Sequence, residues 1–509
     1  MSIDIIKDMV NFDSLIKRLS TKTMVTGDIL IPDVKPDADE IIGSDSELII
    51  DGSEITSGRI LVEGRILSHI LYATPEADSP VAGMTAVKEF SHYFDAANAE
   101  DDSSVDIKGY VEHTDCDVLN SRKLQVKHMI NLDIFLNKRE EAEAVTAIDM
   151  EDAITRNEDI KVKFMADEGS SETIVREDIA PEEDEDVNIR DVLYASAAVT
   201  KVEPQISDDK VLVEGTLNVD VIYMKDTEEP EYDSYNTDIS FSHFVDIADA
   251  QVTMYPEIKC TVEEVNAEQK DNSTIGIEAV LDVGVKLYED DEKTVIKDVY
   301  SISSNLEEEK ESFTGLSQIY DSDTQLDLNE TVDLPDDVQD ILLIKGQAQP
   351  GEHEISDGKI YIDGVLPISV YYKSESGVKF SLEEIPFRHV VDANEIKEDD
   401  DIFAEFALSE ITSSLNGNSL DVRCTIDCNV KAYRKNEISY ISAVTESEDE
   451  TVPDMPSITV CVIDKDETLW DVAKKYRTTA QRIMDVNELT EDKLEAGDKL
   501  IIVKECKKD

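Results

Sequence analysis

A chain that writes one set of anchors three times, at intervals of about 150 residues, must fold as a set of like units. The 509 residues do this. RILVEGRILSHILY holds Gly64 and Tyr72, KVLVEGTLNVDVIY holds Gly215 and Tyr223, and KIYIDGVLPISVYY holds Gly364 and Tyr372. The glycines lie 151 and then 149 residues apart, and each tyrosine follows its glycine by eight. Twenty-four residues before each glycine stands an acid with two aliphatics: Glu40-Ile41-Ile42, Asp191-Val192-Leu193 and Asp340-Ile341-Leu342. After each glycine comes a histidine motif, FSHYFD with His92 and Asp95, FSHFVD with His243 and Asp246, FRHVVD with His389 and Asp392.

Each copy closes on alternating polar and apolar residues, as in LQVKHMINLDIFL, IGIEAVLDVGVKLY and LDVRCTIDCNVKAY. Period two is the signature of a sheet with one buried face. Turn residues fill the gaps, at DDSS (101–104) and NGNS (416–419). Each strand glycine points to a bulge or a close backbone approach. The expected architecture is multidomain and mostly β, with β-rich repeats over 25–150, 165–302 and 312–441. Acidic helical or loop segments are expected between them, near 139–165 and 303–325. An acidic linker over 442–457 and a small α+β domain over 458–505 complete the layout.

The opening segment reads differently. Ile5, Ile6, Met9, Phe12, Leu15, Ile16 and Leu19 recur at helical spacing. An amphipathic helical segment is expected over 1–24, docked on the protein's own body or on a partner. Asp4, Lys7, Asp8 and Asp13 interrupt the apolar core that a signal peptide would need, and no run approaches the roughly 18 apolar residues of a membrane span. With 48 basic and 116 acidic residues the net charge is −68, which repels phosphates and argues against nucleic acid or anionic membranes as partners.

Chemistry is sparse. Each copy offers one histidine and an acid, too few ligands for a metal, so a structural histidine hydrogen-bonded at a strand end is expected. Cys424 and Cys428, four apart on one strand, stand roughly 13 Å from each other by strand rise. The six cysteines are too scattered for a disulfide scaffold and read as reduced thiols. No phosphate-binding loop, zinc-protease helix or nucleophile elbow occurs, so neither catalytic residues nor a cofactor are expected.

From Ile458 the charge changes character. Residues 458–509 hold ten basic and twelve acidic residues, a balance of −2 against −66 for the rest. ITVCVI and KLIIV read as strands, with helices opening at Thr468 and at Thr478 or Thr479, a βααβ unit. Leu469, Val472, Ala473, Ile483, Leu489, Leu500 and Ile502 are its expected core, with Trp470, the sole tryptophan, on the first helix.

This segment resembles a LysM domain through Thr468-Leu469-Trp470, Ala473, Tyr476, Asn487, Leu489, Gly497, Leu500 and Ile502. LysM domains usually bind N-acetylglucosamine polymers through the loops after strand one and before strand two. Here the family's tyrosine is Cys461 and its loop glycine is Asp466, while Asp464, Glu467, Glu491, Asp492, Glu495 and Asp498 crowd the same region. The repeats in turn resemble SPOCS domains, through an opening turn (Ile31-Pro32-Asp33, Leu334-Pro335-Asp336, more loosely Ile179-Ala180-Pro181) and the glycine-to-tyrosine strand. The combination resembles spore-coat morphogenetic proteins of endospore-forming bacteria. That resemblance implies a non-enzymatic scaffold in the mother-cell cytoplasm, placed at the forespore surface. Its implied partner is stage IV sporulation protein A, the ATPase of the coat basement layer, along with other coat proteins. The alternative is a peptidoglycan-binding tether between coat and cortex; a wall hydrolase lacks any catalytic constellation.

The expected contact lies on the LysM sheet and first helix. Strand alternation turns Val460, Val462 and Ile501 outward, where an apolar stripe marks either an interaction surface or a face covered by the linker or a repeat. Ile463 sits where the strand enters the loop. Lys474, Lys475 and Arg477 meet an acidic partner or complement the helix dipole.

Overall fold

Alternation of apolar and polar residues makes strands whose apolar edge must find a second sheet. The computed structural model describes residues 3–503 apart from 77, 98, 101–102, 182–187, 336–337 and 448–455. It builds one two-sheet unit three times. In the first, Glu40–Thr56, Arg59–Ala73 and Val81–Asp95 form an antiparallel meander with Arg59–Ala73 in the middle. The second sheet places Lys123–Asp149 between Asp4–Leu30 and Ser103–Asn120. Ile60, Val62 and Ile66 of one sheet pack on Ile130, Leu132, Ile134 and Leu136 of the other.

Repeat two follows the same plan. Its meander is Ile189–Ser207, Lys210–Lys225 and Glu231–Asp246, and its second sheet is Ala153–Ile179, Ile275–Ser301 and Tyr255–Gln269. In repeat three the first meander strand is split into Asp340–Gly346 and Gln349–Ser356, both pairing Lys359–Ser374, with Gly377–Asp392 on the far side. Leu306–Asp333, Ser419–Glu446 and Asp401–Asn416 complete it.

Gly64, Gly215 and Gly364 each occupy the sixth position of the central meander strand, directly across from Phe90, Phe241 and Phe387. A Cβ at these glycines would meet the ring carbons at 2.7, 2.5 and 2.3 Å. The close approach is therefore a phenylalanine folded over a bare backbone, an arrangement that pins register. A bulge also lies beside each glycine, on the neighbouring strand, at Ile50/Gly52, Val199/Lys201 and Pro350/His353.

The histidines are equivalent as well, each two residues after that phenylalanine and paired with Val62, Val213 and Ile362. His243 Nε2 meets Ser171 Oγ at 2.7 Å and His389 Nε2 meets Thr324 Oγ1 at 3.0 Å, so these two tie the meander to the second sheet. His92 instead packs edge-on against Phe94 at 4.8 Å. Cys424 and Cys428 are buried and free, and among the described residues no cluster could hold a metal ion. Cys506 lies outside the described residues.

The opening segment is not a helix. Asp4–Leu30 is a 27-residue strand, the counterpart of Ala153–Ile179 and Leu306–Asp333. Register shifts at Ile6/Lys7 and Leu15/Lys17 leave one unpaired residue on each strand, Thr146 and then Ile16, and disturb the period of two. The apolar spacing then imitates a helix. Likewise the expected segments 139–165 and 303–325 are mostly strand, and the expected boundaries at 25, 165, 312 and 442 fall inside Asp4–Leu30, Ala153–Ile179, Leu306–Asp333 and Ser419–Glu446. Half of the expected acidic linker, 448–455, lies outside the described residues, as do Asp336 of the third opening turn and the first half of the 101–104 turn.

These long strands explain how the repeats pack. Their outer halves run past the sandwiches and meet in one apolar stalk, where Val10, Phe12, Ala142 and Ala144 join Ile160, Val162, Val295, Phe313 and Tyr440 from the other two repeats. Phe12 stacks on Phe313 with ring centroids 4.0 Å apart. Asp13, beside this core, accepts from the Met165 amide at 2.7 Å. Burial raises its carboxyl to about 6, against that hydrogen bond and the Arg139 charge. Between its ordinary value and 6 the folded chain holds the extra proton, so the group costs stability as pH rises through 6. Asp13→Asn is expected to add about 3 kcal/mol at pH 7 and nothing well below pH 4. Urea denaturation across that range checks it; a gain equal at both ends would refute the burial account.

Candidate functional site

Two places bring functional side chains together: the centre where the three meanders meet, and the end of the stalk.

At the centre, Leu71 and Val81, Leu193, Tyr194, Ile222, Met224 and Tyr232, and Leu342, Leu343, Tyr371 and Val378 form one core from all three repeats. Gly83 passes so close to repeat two that a Cβ there would lie 1.5 Å from the Leu193 carbonyl oxygen. Inside this core sits a polar knot. Asp45 accepts from Tyr194 Oη at 3.0 Å and Tyr371 Oη at 2.6 Å, and Lys345 Nζ reaches Asp45 at 3.5 Å, Glu47 at 3.1 Å and Tyr194 Oη at 3.1 Å. Burial opposes both charges. Lys345 and His69 nevertheless hold Asp45 below the ordinary carboxylate range, while Tyr194, Glu47 and Asp45 hold Lys345 well above the ordinary ammonium range. Asp45, Ser196 and Lys345 each follow their repeat's anchor acid by five residues. The same position is thus written with an acid, a hydroxyl and a base, so the repeats are not interchangeable.

At the stalk end sits the small domain. Ile458–Val462 pairs antiparallel with Lys499–Val503. Leu469–Tyr476 is capped by Thr468, whose side chain accepts from the Asp471 amide while Asp471 accepts from the Thr468 amide. Ala480–Asn487 is capped by Thr479. Cys461, Ile463, Leu469, Val472, Ala473, Ile483, Leu500 and Ile502 are buried, and Trp470 and Leu489 partly so. Asn487 bonds the Ile501 amide and carbonyl at 2.7 and 2.8 Å, pinning the second strand to the second helix.

Tyr300 of repeat two completes this core. Its hydroxyl donates to the Thr478 carbonyl at 2.7 Å, and its ring meets Trp470 edge-on at 5.1 Å. Trp470 Nε1 donates to Asp298 at 2.6 Å. Lys474 binds Asp298 and Glu308, at 2.5 and 3.0 Å, and Arg477 binds the Ser304 carbonyl at 3.0 Å and Asn305. Despite partial burial, Lys474 and Trp470 drive Asp298 far below the ordinary carboxylate range.

The expected contact residues therefore divide. Lys474 and Arg477 are turned toward the repeats, and Ile463 is core, so these three are not free to meet a partner. Lys475 is exposed, meets Glu467 at 3.4 Å and lies over the Tyr476 ring at 5.7 Å, both within its own domain. Val460, Val462 and Ile501 point outward as alternation requires, at 62, 53 and 44 % exposure, with Ile458 beside them at 65 %. Neither linker nor repeat covers that face among the described residues. Tyr300 and Asp298 had no signal in sequence, because they lie on a strand of another repeat.

The glycan loops carry a further departure. Asp466, at the family's glycine position, adopts φ +66°, a conformation glycine accepts freely and an acid adopts with strain. The position needs the glycine geometry but not its smallness here, and acids surround it.

A mostly β, three-repeat body carrying a docked βααβ domain is an architecture of repeated binding domains. The family model described as "SipL, SPOCS domain" matches residues 37–119, 188–270 and 337–416, and the LysM domain model matches residues 461–503. The chain belongs to the SipL-like proteins, with three SPOCS repeats and a C-terminal LysM domain. Each SPOCS match spans a meander and the short strand after it, and leaves out the long stalk strands. No curated protein and no solved structure matches the chain. SPOCS and LysM domains together fit a sporulation-related protein, and LysM domains are glycan-binding modules. Among the described residues no helix is long and apolar enough to cross a membrane.

Proposed function

We propose that the chain is a non-enzymatic adaptor in spore coat assembly. It works at the forespore surface from the mother-cell cytoplasm and holds the basement-layer ATPase, stage IV sporulation protein A, through its LysM domain. One observation carries this reading: the LysM spends its helix face on the repeats and leaves an apolar sheet face, Val460, Val462 and Ile501, open to solvent. Exposed contiguous apolar side chains in so charged a protein favour a protein partner. Lys475, exposed on the first helix, supplies a charge that steers an acidic surface.

The second reading, a tether to peptidoglycan, is favoured by the LysM match itself. Against it stand Asp466 and the acids around it, which crowd the loops where a sugar's hydroxyls would need close backbone.

The test is Val462→Asp, with Lys475→Glu beside it, in the full chain. Trp470 fluorescence reports whether the domain stays folded. Binding to the ATPase is expected to fall at least about tenfold for Val462→Asp, with no retention on peptidoglycan by any form. ATPase binding left intact, together with strong peptidoglycan retention, would sink the adaptor.

A further inference from the structure

A cavity of about 880 Å³ is walled by all three repeats, and the three short strands Ser103–Asn120, Tyr255–Gln269 and Asp401–Asn416 line it. Five lysines and five carboxylates face it: Lys108, Lys163, Lys259, Lys286 and Lys431 against Asp13, Asp106, Glu168, Glu257 and Glu405. The whole chain has 116 acids to 48 bases, so the wall is strongly enriched in lysine.

Pseudo-threefold symmetry shows which of these charges are spoken for. One cross-strand pair recurs in each repeat: Asp106 opposite Phe135, Glu257 opposite Lys286, Phe403 opposite Lys431. Across the seam between repeats two and one, Lys286 pairs with Asp106. Across the seam between one and three, Phe135 meets Phe403 at 5.1 Å. The same operation would join Lys431 to Glu257 across the third seam, and no such ion pair forms among the described residues. Lys108 is paired, to Glu405, whereas Lys259 and Lys431 form no ion pair among the described residues. Tyr288 adds a phenol to the same wall. Burial, with Lys431 and Lys259 close by, depresses the Lys108 ammonium despite Glu257 and Asp106; burial, with Lys286 close by, does the same to Lys259 despite Asp106 and Asp282.

We propose that this cavity binds a small, multiply charged oxyanion between Lys259 and Lys431, at the seam between repeats two and three. Ammonium groups gathered in a walled space repel one another, and an anion with several oxygens relieves that repulsion while accepting their N–H bonds. Glu257, two residues from Lys259 on the same strand, opposes the ligand and weakens it. A bound anion would also cross-link the one seam that lacks its symmetry contact, so it would stiffen the three-repeat body.

The probes are inorganic pyrophosphate and citrate, each titrated into the full chain by calorimetry against sodium chloride at matched ionic strength. Saturable binding of either is expected, and which one binds tells phosphate from carboxylate as the source. Lys259→Gln and Lys431→Gln should each weaken it about tenfold or more, and Glu257→Gln should tighten it. Lys379→Gln, an exposed lysine outside the cavity, should change nothing. Absence of saturable binding by both probes would overturn the proposal. So would binding that Lys379→Gln weakens as much as Lys259→Gln does, or that Glu257→Gln leaves unchanged.

Discussion

Lys345→Met is expected to destabilise the three-repeat body by about 3 kcal/mol, the cost of stranding a partly desolvated carboxylate. Lys345 is the only cation bound to Asp45 among the described residues, and it reaches Glu47 as well. Methionine keeps the length of the stem and removes the charge, so the loss is electrostatic rather than a cavity. Asp45 would retain its two tyrosine hydroxyls, which is why the estimate sits at the lower end for a broken buried pair. Removing both charges, in Asp45→Asn with Lys345→Met, should restore much of the loss, because a buried pair contributes far less than the penalty for leaving one member alone. Urea denaturation followed by circular dichroism checks both variants. An unchanged midpoint for Lys345→Met would mean that the knot is hydrated and does not hold the repeats together. Since the knot draws on all three repeats, the transition should remain single rather than split into three.

The repeat was legible because its anchors are local. A glycine that must lie under a phenylalanine, a tyrosine eight residues on, and a histidine at a fixed strand position all belong to one hairpin sheet. The LysM was legible for the same reason: its capping threonines, its Trp470 and its Asn487 act within fewer than fifty residues. What stayed hidden is what arises between units. Asp45, Ser196 and Lys345 could be aligned from their anchors, but nothing in the alignment says that the three positions meet. The stalk strands are hidden in the sequence for a different reason. Bulges broke their alternation, and only one stripe of each ribbon is buried, so acids such as Glu141 and Glu143 dilute the pattern. Lys474 and Arg477 looked like a basic patch awaiting a partner because their partners, Asp298, Glu308 and Asn305, come from more than 160 residues away.

Leu469→Ala is expected to cost the LysM domain about 2–5 kcal/mol, enough to unfold most of so small a core. Leu469 is 4 % exposed and packs among Val472, Leu500 and Ile502, with Tyr300 at the edge. Trp470 is the only tryptophan, so its fluorescence reports this domain alone while the repeats stay folded. Tyr300→Ala separates two ways of being stable. It leaves every LysM residue in place but removes the ring against Trp470 and the hydroxyl on the Thr478 carbonyl. If the domain leans on the stalk, Tyr300→Ala should lower its midpoint by a comparable amount and expose Trp470 to aqueous quenchers. An isolated fragment of residues 456–509 should then melt lower than the same domain in the full chain. If instead the fragment and the full chain melt together, and Tyr300→Ala changes neither midpoint nor quenching, the docked seam contributes nothing. The LysM would then be a tethered module whose helix face, with Lys474 and Arg477, is free to meet the partner after all.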